Sequence, residues 1–577
     1  ILTIGLLWLG ALSVWLIGDQ RPRMQHAVAV AAALAGVLAS LGLALFVTGG
    51  TRVSLPGPAL LGELAFVADG LGVLLALIAT AIGSLTVLFS VDYMHGESSL
   101  GRYYGLVLLF IGAMVGLVLT DSLLLLFIFW EITALCSYAL IAFHGDDPRA
   151  VAAGIKALII TQVGGVGLLA GTLVVYANTG SYSISGFLSA GQPLAPALLA
   201  VVAFGFLWAA MAKSAQVPFH SWLPDAMEAP TPVSALIHAA TMVNAGVYLL
   251  ARFYPAFAHV PGWTTAVIVV GVLSALLAGV MALVADDLKR VLAYSTISQL
   301  GYMVYAVGSG ALFASQFHLL SHAVFKALLF LGAGAVIHAA GTRKLRELGG
   351  IGQAMPFVRN AFIFGALALA GVPLLNGFWS KELLLESSLE HGPVWAFGVM
   401  AVGGGLTALY TLRVVWLVFF GQRGSARPVA EAPALMRAAL GILVVLSATT
   451  WLGGGLLSQM MATTLPQHGI EAISTAGLAA RVLGAPSTYL ALALTATGLA
   501  LWIWRGRLAA LTAWLQPLAR LAARGFGFEY LNQLAAAAVR RSAAWLARTQ
   551  TGSLNWNMAG VVGALVFILG VLVWRYL

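Results

Sequence analysis

Residues 205–250 have the sequence GFLWAAMAKSAQVPFHSWLPDAMEAPTPVSALIHAATMVNAGVYLL, and this stretch decides the fold. It begins as an apolar segment of the kind that crosses a membrane, and Lys213 then appears within it. Prolines from Pro218 to Pro232 interrupt the helix before an apolar segment resumes with His238. A lysine at the centre of a membrane helix costs about 2.5–3.5 kcal/mol on insertion scales, and irregular backbone at that depth occurs only where it is buried in protein or lines water. The stretch therefore predicts one half of an ion path.

The composition indicates a polytopic membrane protein. Of the 577 residues, 61% are hydrophobic and 8% are charged, whereas soluble domains carry about 25% charged residues. The single cysteine, Cys136, excludes a disulfide or a cysteine metal site within the chain. We attribute the net charge of +9 to basic loops on one side of a membrane, not to nucleic-acid binding.

Sixteen apolar runs are long enough to cross a bilayer, and the first of them is expected to be a membrane span, not a cleaved signal. The runs are 1–17, 27–48, 69–90, 103–120, 122–142, 153–176, 198–217, 233–256, 264–284, 291–309, 311–340, 357–379, 394–420, 433–455, 487–504 and 557–576.

Basic residues predict the orientation of these spans. If the amino terminus is outside, the outside loops hold little more than Arg52, Arg252 and Arg481. By the positive-inside rule this bias predicts an outside amino terminus. The residues that then fall inside are Arg21, Arg23, Arg102, Arg149, Lys289, Arg290, Arg343, Lys344, Arg346, Arg423, Arg427 and Arg437.

Residues 505–550 differ from the spans, since arginines alternate with Ala, Leu and Trp at helical spacing. This pattern is typical of an amphipathic helix that lies along a membrane surface, here the inner one, with a break near Gly525–Gly527. A basic linker and an element that clamps a partner both remain open for it. The chain shows no Walker loop, no strand–GxGxxG–helix unit and no haem or iron–sulfur cysteine spacing, so we expect no catalytic residue, cofactor or metal site.

Charged residues occur at membrane depth in the first half of the chain. Glu131 lies midway between Asp121 and His144, and a carboxylate there is by default a proton-relay or ion-pair residue, with a hydrogen-bonded structural role as the alternative. Lys213 is its natural partner, and a lysine whose proton affinity depends on a neighbour is a switchable proton carrier. Lys156 is a further candidate, although it could instead extend towards the inner surface.

The second half repeats this theme. His318, His322 and Lys326 follow each other at i, i+4 and i+8, which forms a polar stripe about 12 Å long on one helix face. Such a stripe could pass protons, whereas a metal site would need a further ligand that the neighbouring sequence does not supply. In LALAGVPLLNGFWSKE a second broken span follows, with Lys381 and Glu382 directly after the break.

Each half therefore has a broken helix with a lysine. The two halves also hold five spans each, and an odd number of spans per repeat predicts two repeats that are inverted in the membrane. His238 is a candidate link between them, with simple core packing as the alternative. The predicted fold is an all-α polytopic membrane protein with about sixteen transmembrane helices, discontinuous helices in both repeats and an amphipathic surface helix before the last span. The predicted segments are 1–102 for helices 1–3, 103–256 for the first repeat, 257–420 for the second, 421–504 for helices 14–15, 505–550 for the surface helix and 551–577 for the last span.

Several stretches resemble one family. The chain is similar to the antiporter-like subunits shared by respiratory complex I, membrane-bound hydrogenases and Mrp-type cation/proton antiporters. Five stretches carry this resemblance: MAKSAQVPFHSWLPDAMEAPTPVSALIHAATMV, STISQLGYM, FHLLSHAVFKALLFLGAG, TRKLRELGG and GVPLLNGFWSKE. Two further stretches resemble the large Mrp A subunit: VDYMHGESSLGRYYGLVLLFIGAMVGLVLTD and KALIITQVGGVGLLAG. In the second of them, complex I subunits typically have an Asp near the position of Gly165. Two features depart from it. Asn244 stands where many A subunits have Lys, and A subunits usually continue beyond the equivalent of Leu577, so a split or truncated A subunit and a relative serving another complex both remain open.

The resemblance implies roles for these residues. Glu131 and Lys213 would form the ion pair of the first half, Lys326 would be the central lysine, and Lys381 the terminal one. His238, His318 and His322 would line a hydrated axis between them. Lys156 and Glu382 remain additional candidates.

The expected function is that of a proton-translocating, antiporter-like subunit in a bacterial or archaeal cytoplasmic membrane, within a hetero-oligomeric Na⁺(cation)/H⁺ antiporter. Its partners would be other membrane subunits, protons and Na⁺ or another monovalent cation, and no nucleic acid. The alternatives are a proton-pumping subunit of a complex I-like or hydrogenase-like redox enzyme, which would make the chain part of a translocase, a subunit of a proton-coupled inorganic-carbon accumulating complex, and a structural scaffold. In each case we expect the chain to lack a redox or hydrolytic site of its own.

Overall fold

The computed structural model describes residues 1–46, 51–58, 62–191, 194–422 and 429–549, together with 558, 560 and 562–566. The chain divides into two compact units, Ile1–Ala522 and Ala523–Leu577. The last predicted span, 557–576, lies largely outside the described residues.

The first unit is built almost entirely of helices. Its helices are α1 (Leu2–Ile17), α2 (Pro22–Phe46), α3 (Gly70–Tyr93), α4 (Leu100–Leu119), α5 (Leu123–Ile141), α6 (Pro148–Thr179), α7 (Ile184–Ser189), α8 (Pro196–Lys213), α9 (Trp222–Asp225), α10 (Thr231–Ala235), α11 (Asn244–Phe257), α12 (Trp263–Val284), α13 (Leu288–Gly308), α14 (Leu312–Ala340), α15 (Leu345–Leu348), α16 (Pro356–Ala370), α17 (Asn376–His391), α18 (Val394–Val415), α19 (Ala434–Thr449), α20 (Gly454–Thr464), α21 (Thr475–Gly484), α22 (Pro486–Ile503), α23 (Arg505–Thr512) and α24 (Gln516–Ala523).

Among the described residues, twelve helical segments are long and apolar enough to cross a membrane, and α1 and α16 are shorter apolar helices. The prediction of a helical, multi-pass membrane protein is confirmed at this level. Helix α13 has the length of a span but carries a row of polar side chains, and these are buried within the bundle. A helix with buried polar groups at membrane depth must satisfy them inside the protein.

Both predicted helix breaks are present. Helix α8 ends at Lys213, short helical turns follow from Phe219 to Glu228, and a π-helical turn at Leu236–Ala240 separates α10 from α11. In the second half, α16 ends before Gly371, whose φ of +79° is a left-handed conformation that glycine adopts at little cost. The chain resumes as a helix at Asn376. Residues 230–253 are buried throughout, so the first break is enclosed by protein.

The loops of the first unit lie at its two ends, and contacts join loops that lie at the same end. The end that carries most of the basic loop residues is called the basic face. Its loops are held together by three contacts: Arg102 donates to the Phe143 carbonyl oxygen, Arg343 donates to Glu228, and a β-bridge pairs Asp287 with Lys344. The opposite face is joined by β-bridges from Phe66 to Thr120 and from Ser122 to Ser183, and by an ion pair between Arg481 and Glu390. These contacts pair loops that the basic-residue pattern places on the same side of the membrane.

A small β-hairpin on the opposite face is a departure from the all-helical prediction. Strands β1 (Thr51–Pro56) and β2 (Glu63–Ala68) pair antiparallel, with Thr51 opposite Ala68. Asp121 accepts hydrogen bonds from Ser183 and Ser185 and lies 3.1 Å from Arg52 of β1. The hairpin is therefore tied to the ends of α4 and α6.

A buried ion pair joins α3 to α11 near the opposite face. Arg252 donates to both carboxylate oxygens of Asp69 at 2.6 and 2.9 Å, and both side chains are less than a tenth exposed. Asp69 also caps α3 by accepting from the amide of Gly72. Such bidentate, charge-assisted hydrogen bonds are the strong kind. The pair fixes the start of α3 against the span that follows the first break.

The loop after α20 closes over this pair through His468, which predicts a pH dependence. His468 Nε2 lies 3.2 Å from the Arg252 carbonyl oxygen, and burial, with the Arg252 charge nearby, lowers the pKa of His468 to about 4. An unfolded histidine has a pKa of about 6.5, so the unfolded loop binds more protons between these values. Docking of the loop should be complete above pH 6.5 and weaken as the pH falls towards 4.

Hydrogen exchange of residues 466–474 at pH 7.5 and pH 5 measures this effect. We expect smaller protection factors, that is, exchange corrected for the intrinsic rate at each pH, at pH 5 than at pH 7.5 in the parent, and a smaller difference in His468→Gln. Equal protection factors at both pH values in the parent would contradict the prediction.

In the second unit, α25 (Phe528–Thr549) follows a turn at Gly525–Gly527 in which Phe526 has a φ of +52°. The described side chains of α25 are largely exposed. Arginines and large apolar residues share this helix, as in Arg540, Arg541 and Trp545.

Candidate functional site

Glu131 of α5 and Lys213 of α8 interact electrostatically, and each also contacts a further polar group. Lys213 Nζ donates to the Trp130 carbonyl oxygen at 2.7 Å and lies 4.9 Å from the Trp130 ring centre. The Glu131 carboxylate accepts from Gln162 of α6, and its Oε1 atom is buried with no hydrogen-bond partner among the described residues.

Lys156 lies near the basic face. Its Nζ is 2.7 Å from Asp225 in the turns that follow the first break, and Asp225 also lies 3.1 Å from Arg290 of α13. About a fifth of the Lys156 side chain is exposed. The sequence analysis missed Asp225 as its partner, because the spacing of 69 residues gives no local signal.

His238 lies in the irregular segment that follows the first break. It belongs to the π-helical turn, is fully buried and packs on the Phe330 ring of α14 at 4.6 Å. Neither ring nitrogen has a hydrogen-bond partner among the described residues. On the side towards Lys213, the adjacent Ser214 donates to the Val243 carbonyl oxygen, at the end of the same irregular segment.

The polar stripe of α14 is buried as a whole. Lys326 Nζ donates to the Leu292 carbonyl oxygen at 3.0 Å and to the Ser295 hydroxyl. One turn earlier, both ring nitrogens of His322 lack a partner among the described residues. His318, a further turn away, contacts Gln299 at 3.1 Å and Ser380 at 3.0 Å. The stripe thus ends beside α17.

Lys381 follows Ser380 on α17 and completes the series. Its side chain is 2% exposed, and its Nζ has no hydrogen-bond partner in the described part of the chain. It lies 5.6 Å from the Tyr302 ring centre, within range of a cation–π contact. Glu382 beside it is equally buried, and its Oε2 atom has no hydrogen-bond partner within the ranges that the structure describes. Tyr302 itself donates to the Met400 carbonyl oxygen at 2.6 Å.

Helix α13 supplies the side chains that the sequence analysis missed. Ser295, Gln299 and Tyr302 follow at i, i+4 and i+7, which places them on one face. That face meets Lys326, His318 and Lys381 in turn. The spacing within STISQLGYM was visible in the sequence and could have identified them.

This arrangement can move protons. Leaving a buried polar group unpaired costs about 1–3 kcal/mol, so groups such as His322 and Lys381 need water or a changing partner. Histidine titrates near neutral pH, and hydrogen-bonded water can bridge polar groups several ångströms apart. Within the described residues, no group of three or more His, Cys, Asp or Glu side chains is placed to hold a metal ion. Fold and site together define a multi-pass membrane protein with several buried ionisable groups near two broken helices.

Two family models match the chain. Residues 120–407 match the model described as NADH:quinone oxidoreductase/Mrp antiporter, TM. Residues 60–104 match NADH-Ubiquinone oxidoreductase (complex I), chain 5 N-terminus. All candidate residues from Glu131 to Glu382 lie within the first match.

The similar proteins include quinone oxidoreductase subunits and antiporter subunits. The chain is 42% identical over 375 residues to NAD(P)H-quinone oxidoreductase chain 5 of Synechocystis sp., which covers 62% of this chain and 55% of the relative. It is 40% identical over 421 residues to Na(+)/H(+) antiporter subunit A1 of Staphylococcus haemolyticus, and this alignment covers 68% of this chain and 52% of the relative. The aligned region is thus about half the length of these relatives.

Two solved structures are similar. The Mrp complex from Dietzia sp. DQ12-45-1b contains a chain that matches with a TM-score of 0.83 and 31% identity, over 99% of this chain and 63% of that one. An archaeal membrane-bound sulfane sulfur reductase matches with a TM-score of 0.71 at 24% identity, over 83% of this chain and 99% of that one, and supports the fold. The chain belongs to the antiporter-like membrane subunits of the NADH:quinone oxidoreductase/Mrp antiporter family.

Proposed function

We propose that the chain is a proton-translocating, antiporter-like subunit that exchanges protons for Na⁺ or another monovalent cation within a multi-subunit membrane assembly. One observation carries this proposal. Ionisable groups lie inside both halves of the first unit: the half-buried Glu131 near the buried Lys213 in one, and the buried Lys326, His322, His318 and Lys381 in the other, with the buried His238 packed on Phe330 of α14.

In this mechanism Lys213 is the switch of the first half. When Glu131 lies close, its negative charge stabilises the protonated lysine, and when it moves towards Gln162 the lysine releases its proton more readily. The released proton passes through water and His238 to Lys326. Each acceptor gains one proton and gives up one, so one proton is displaced along the line per cycle.

The second half delivers the proton to the terminal lysine. His322 and His318 connect Lys326 to Ser380, and Ser380 adjoins Lys381. Glu382, buried beside Lys381, would stabilise that lysine when it is protonated. Lys156 would act near the basic face, as an additional group whose charge is balanced by Asp225.

The architecture proposed for this function has about sixteen transmembrane helices. Helices α4 to α11 and α12 to α18 would form the inverted repeats 103–256 and 257–420, each with a discontinuous helix. Segment 1–102 would supply helices 1–3, 421–504 helices 14–15, 505–550 the surface helix and 551–577 the last span. The amino terminus would lie outside the cytoplasmic membrane of a bacterium or archaeon, with the basic face inside.

A second candidate is a proton-pumping subunit of a complex I-like redox enzyme. The similarity to NAD(P)H-quinone oxidoreductase chain 5, at 42% identity, favours it as strongly as the antiporter relatives favour the first. A proton-coupled inorganic-carbon accumulating complex is a further alternative. In all three cases other membrane subunits would be its partners and would supply the driving force.

The experiment that separates these functions uses inverted vesicles that contain the complete assembly. After a pH gradient is imposed, Na⁺ is added and the gradient is followed with a fluorescent dye. Collapse of the gradient on addition of Na⁺ supports the antiporter. No response to Na⁺, combined with proton pumping when an electron donor is added, would replace it with the redox pump.

A further inference from the structure

A patch of titratable side chains lies on the basic face, apart from the line described above. It surrounds the end of α3, whose last turn and following loop carry Asp92, His95 and Glu97. We call this group the histidine patch; its members are His26, Asp92, His95, Glu97, His144 and His338.

Two groups within the histidine patch interact, namely His144 with Glu97, and His26 with His95 and Asp92. His144 lies 3.8 Å from Glu97, and both side chains are more than 40% exposed. His95 and Asp92 interact with the charge of His26, whose ring contacts the Tyr104 hydroxyl at 2.7 Å. Clustered exposed histidines and carboxylates can take up protons from water and exchange them among themselves.

Tyr93 connects this patch to the interior. Its ring packs against His338 at 5.2 Å, and it interacts with Glu97. Its hydroxyl lies 3.1 Å from the hydroxyl of Thr231, which is 1% exposed. Tyr93 therefore spans the boundary between the water-exposed patch and the buried start of α10.

Helix α10 continues the line to the central histidine. Thr231, Ser234 and His238 follow at i, i+3 and i+7, so they lie along one side of the segment. The Ser234 hydroxyl and both His238 nitrogens are buried without partners among the described residues. These atoms are free to bond water, which could bridge the gaps. Lys326, Lys289 and His322 also interact with His238.

We propose that the histidine patch is a proton-collecting inlet that feeds His238 through Tyr93, Thr231 and Ser234. Each hydroxyl accepts a proton on one side and releases its own on the other, so a proton reaches His238 without net change in the groups it passes. This inlet rests on the proposed function, and it would load the centre of the line independently of the Glu131–Lys213 switch.

Thiol labelling tests the water path without any transport assay. In a Cys136→Ser background, Ser234→Cys is exposed to a small, membrane-impermeant methanethiosulfonate reagent from either face. We expect labelling from the basic face, while Ser40→Cys, a buried serine of α2 that also lacks a partner, stays unlabelled. No labelling of Ser234→Cys, or equal labelling from both faces, would overturn the proposal.

Proton flux tests the relay itself. Tyr93→Phe removes one hydroxyl and should lower Na⁺-driven proton flux several-fold. The matched control, Tyr489→Phe, removes a hydroxyl that donates to the Leu483 carbonyl oxygen and should leave the flux unchanged. Unchanged flux in Tyr93→Phe would overturn the relay. A parent without Na⁺-driven flux would instead refute the proposed function, and the labelling result would still decide the inlet.

Discussion

Replacing Lys326 with alanine should abolish proton translocation by the assembled complex. Lys326 is the central group of the line, fully buried, and bonded to the Leu292 carbonyl and the Ser295 hydroxyl. Its removal takes the only lysine of α14 out of the series between His238 and His322. Removing a positioned proton-transfer group typically costs about 10²–10⁴-fold in rate, so we expect flux near the background of empty vesicles.

The measurement is the initial rate of Na⁺-induced collapse of the pH gradient, normalised to the amount of assembled complex. Lys344→Ala is the matched control, because it removes a lysine whose ion pair with Glu347 is exposed on the basic face. The control should match the parent. Substantial flux through Lys326→Ala would show that protons bypass α14.

Replacing Arg252 with leucine should have the largest effect on stability. The change leaves the Asp69 carboxylate buried with its main partner removed. Breaking a buried ion pair in this way costs about 3–5 kcal/mol, because the remaining charge is uncompensated. We expect a clearly lower midpoint of thermal unfolding in detergent, measured by size-exclusion chromatography after heating.

Two variants separate charge burial from loss of side-chain volume. The double variant Asp69→Asn with Arg252→Leu should recover part of the midpoint, because it removes the stranded charge. Arg481→Leu breaks a partly exposed ion pair with Glu390 and should cost at most about 1 kcal/mol. If Arg252→Leu and Arg481→Leu shifted the midpoint equally, the buried pair would not be the stabilising element.

Local patterns predicted the helical membrane fold and much of the candidate line. The run of apolar segments predicts helices because a bilayer leaves few other ways to satisfy the backbone. The prolines after Lys213 and the Gly371–Pro373 region mark helix breaks for reasons that act within a few residues. The spacing of His318, His322 and Lys326 likewise places them on one face of α14 without any knowledge of the neighbouring helices.

Partners distant in the chain could not be predicted in the same way. Lys213 bonds to the Trp130 carbonyl, 83 residues away, and Arg252 pairs with Asp69, 183 residues away. These contacts depend on how the spans pack, which periodicity within one helix does not determine. The β-hairpin was missed for a related reason, because two short strands between spans bury little apolar surface and leave a weak pattern.

The central claim is that protons cross this chain on its buried lysines in exchange for a cation. Its most direct test is the Na⁺-induced collapse of the pH gradient in inverted vesicles that contain the complete complex, compared among the parent, Lys213→Ala and Lys344→Ala. The account predicts collapse in the parent and in Lys344→Ala, and its loss in Lys213→Ala at equal assembly. Collapse at the parental rate in Lys213→Ala would contradict it.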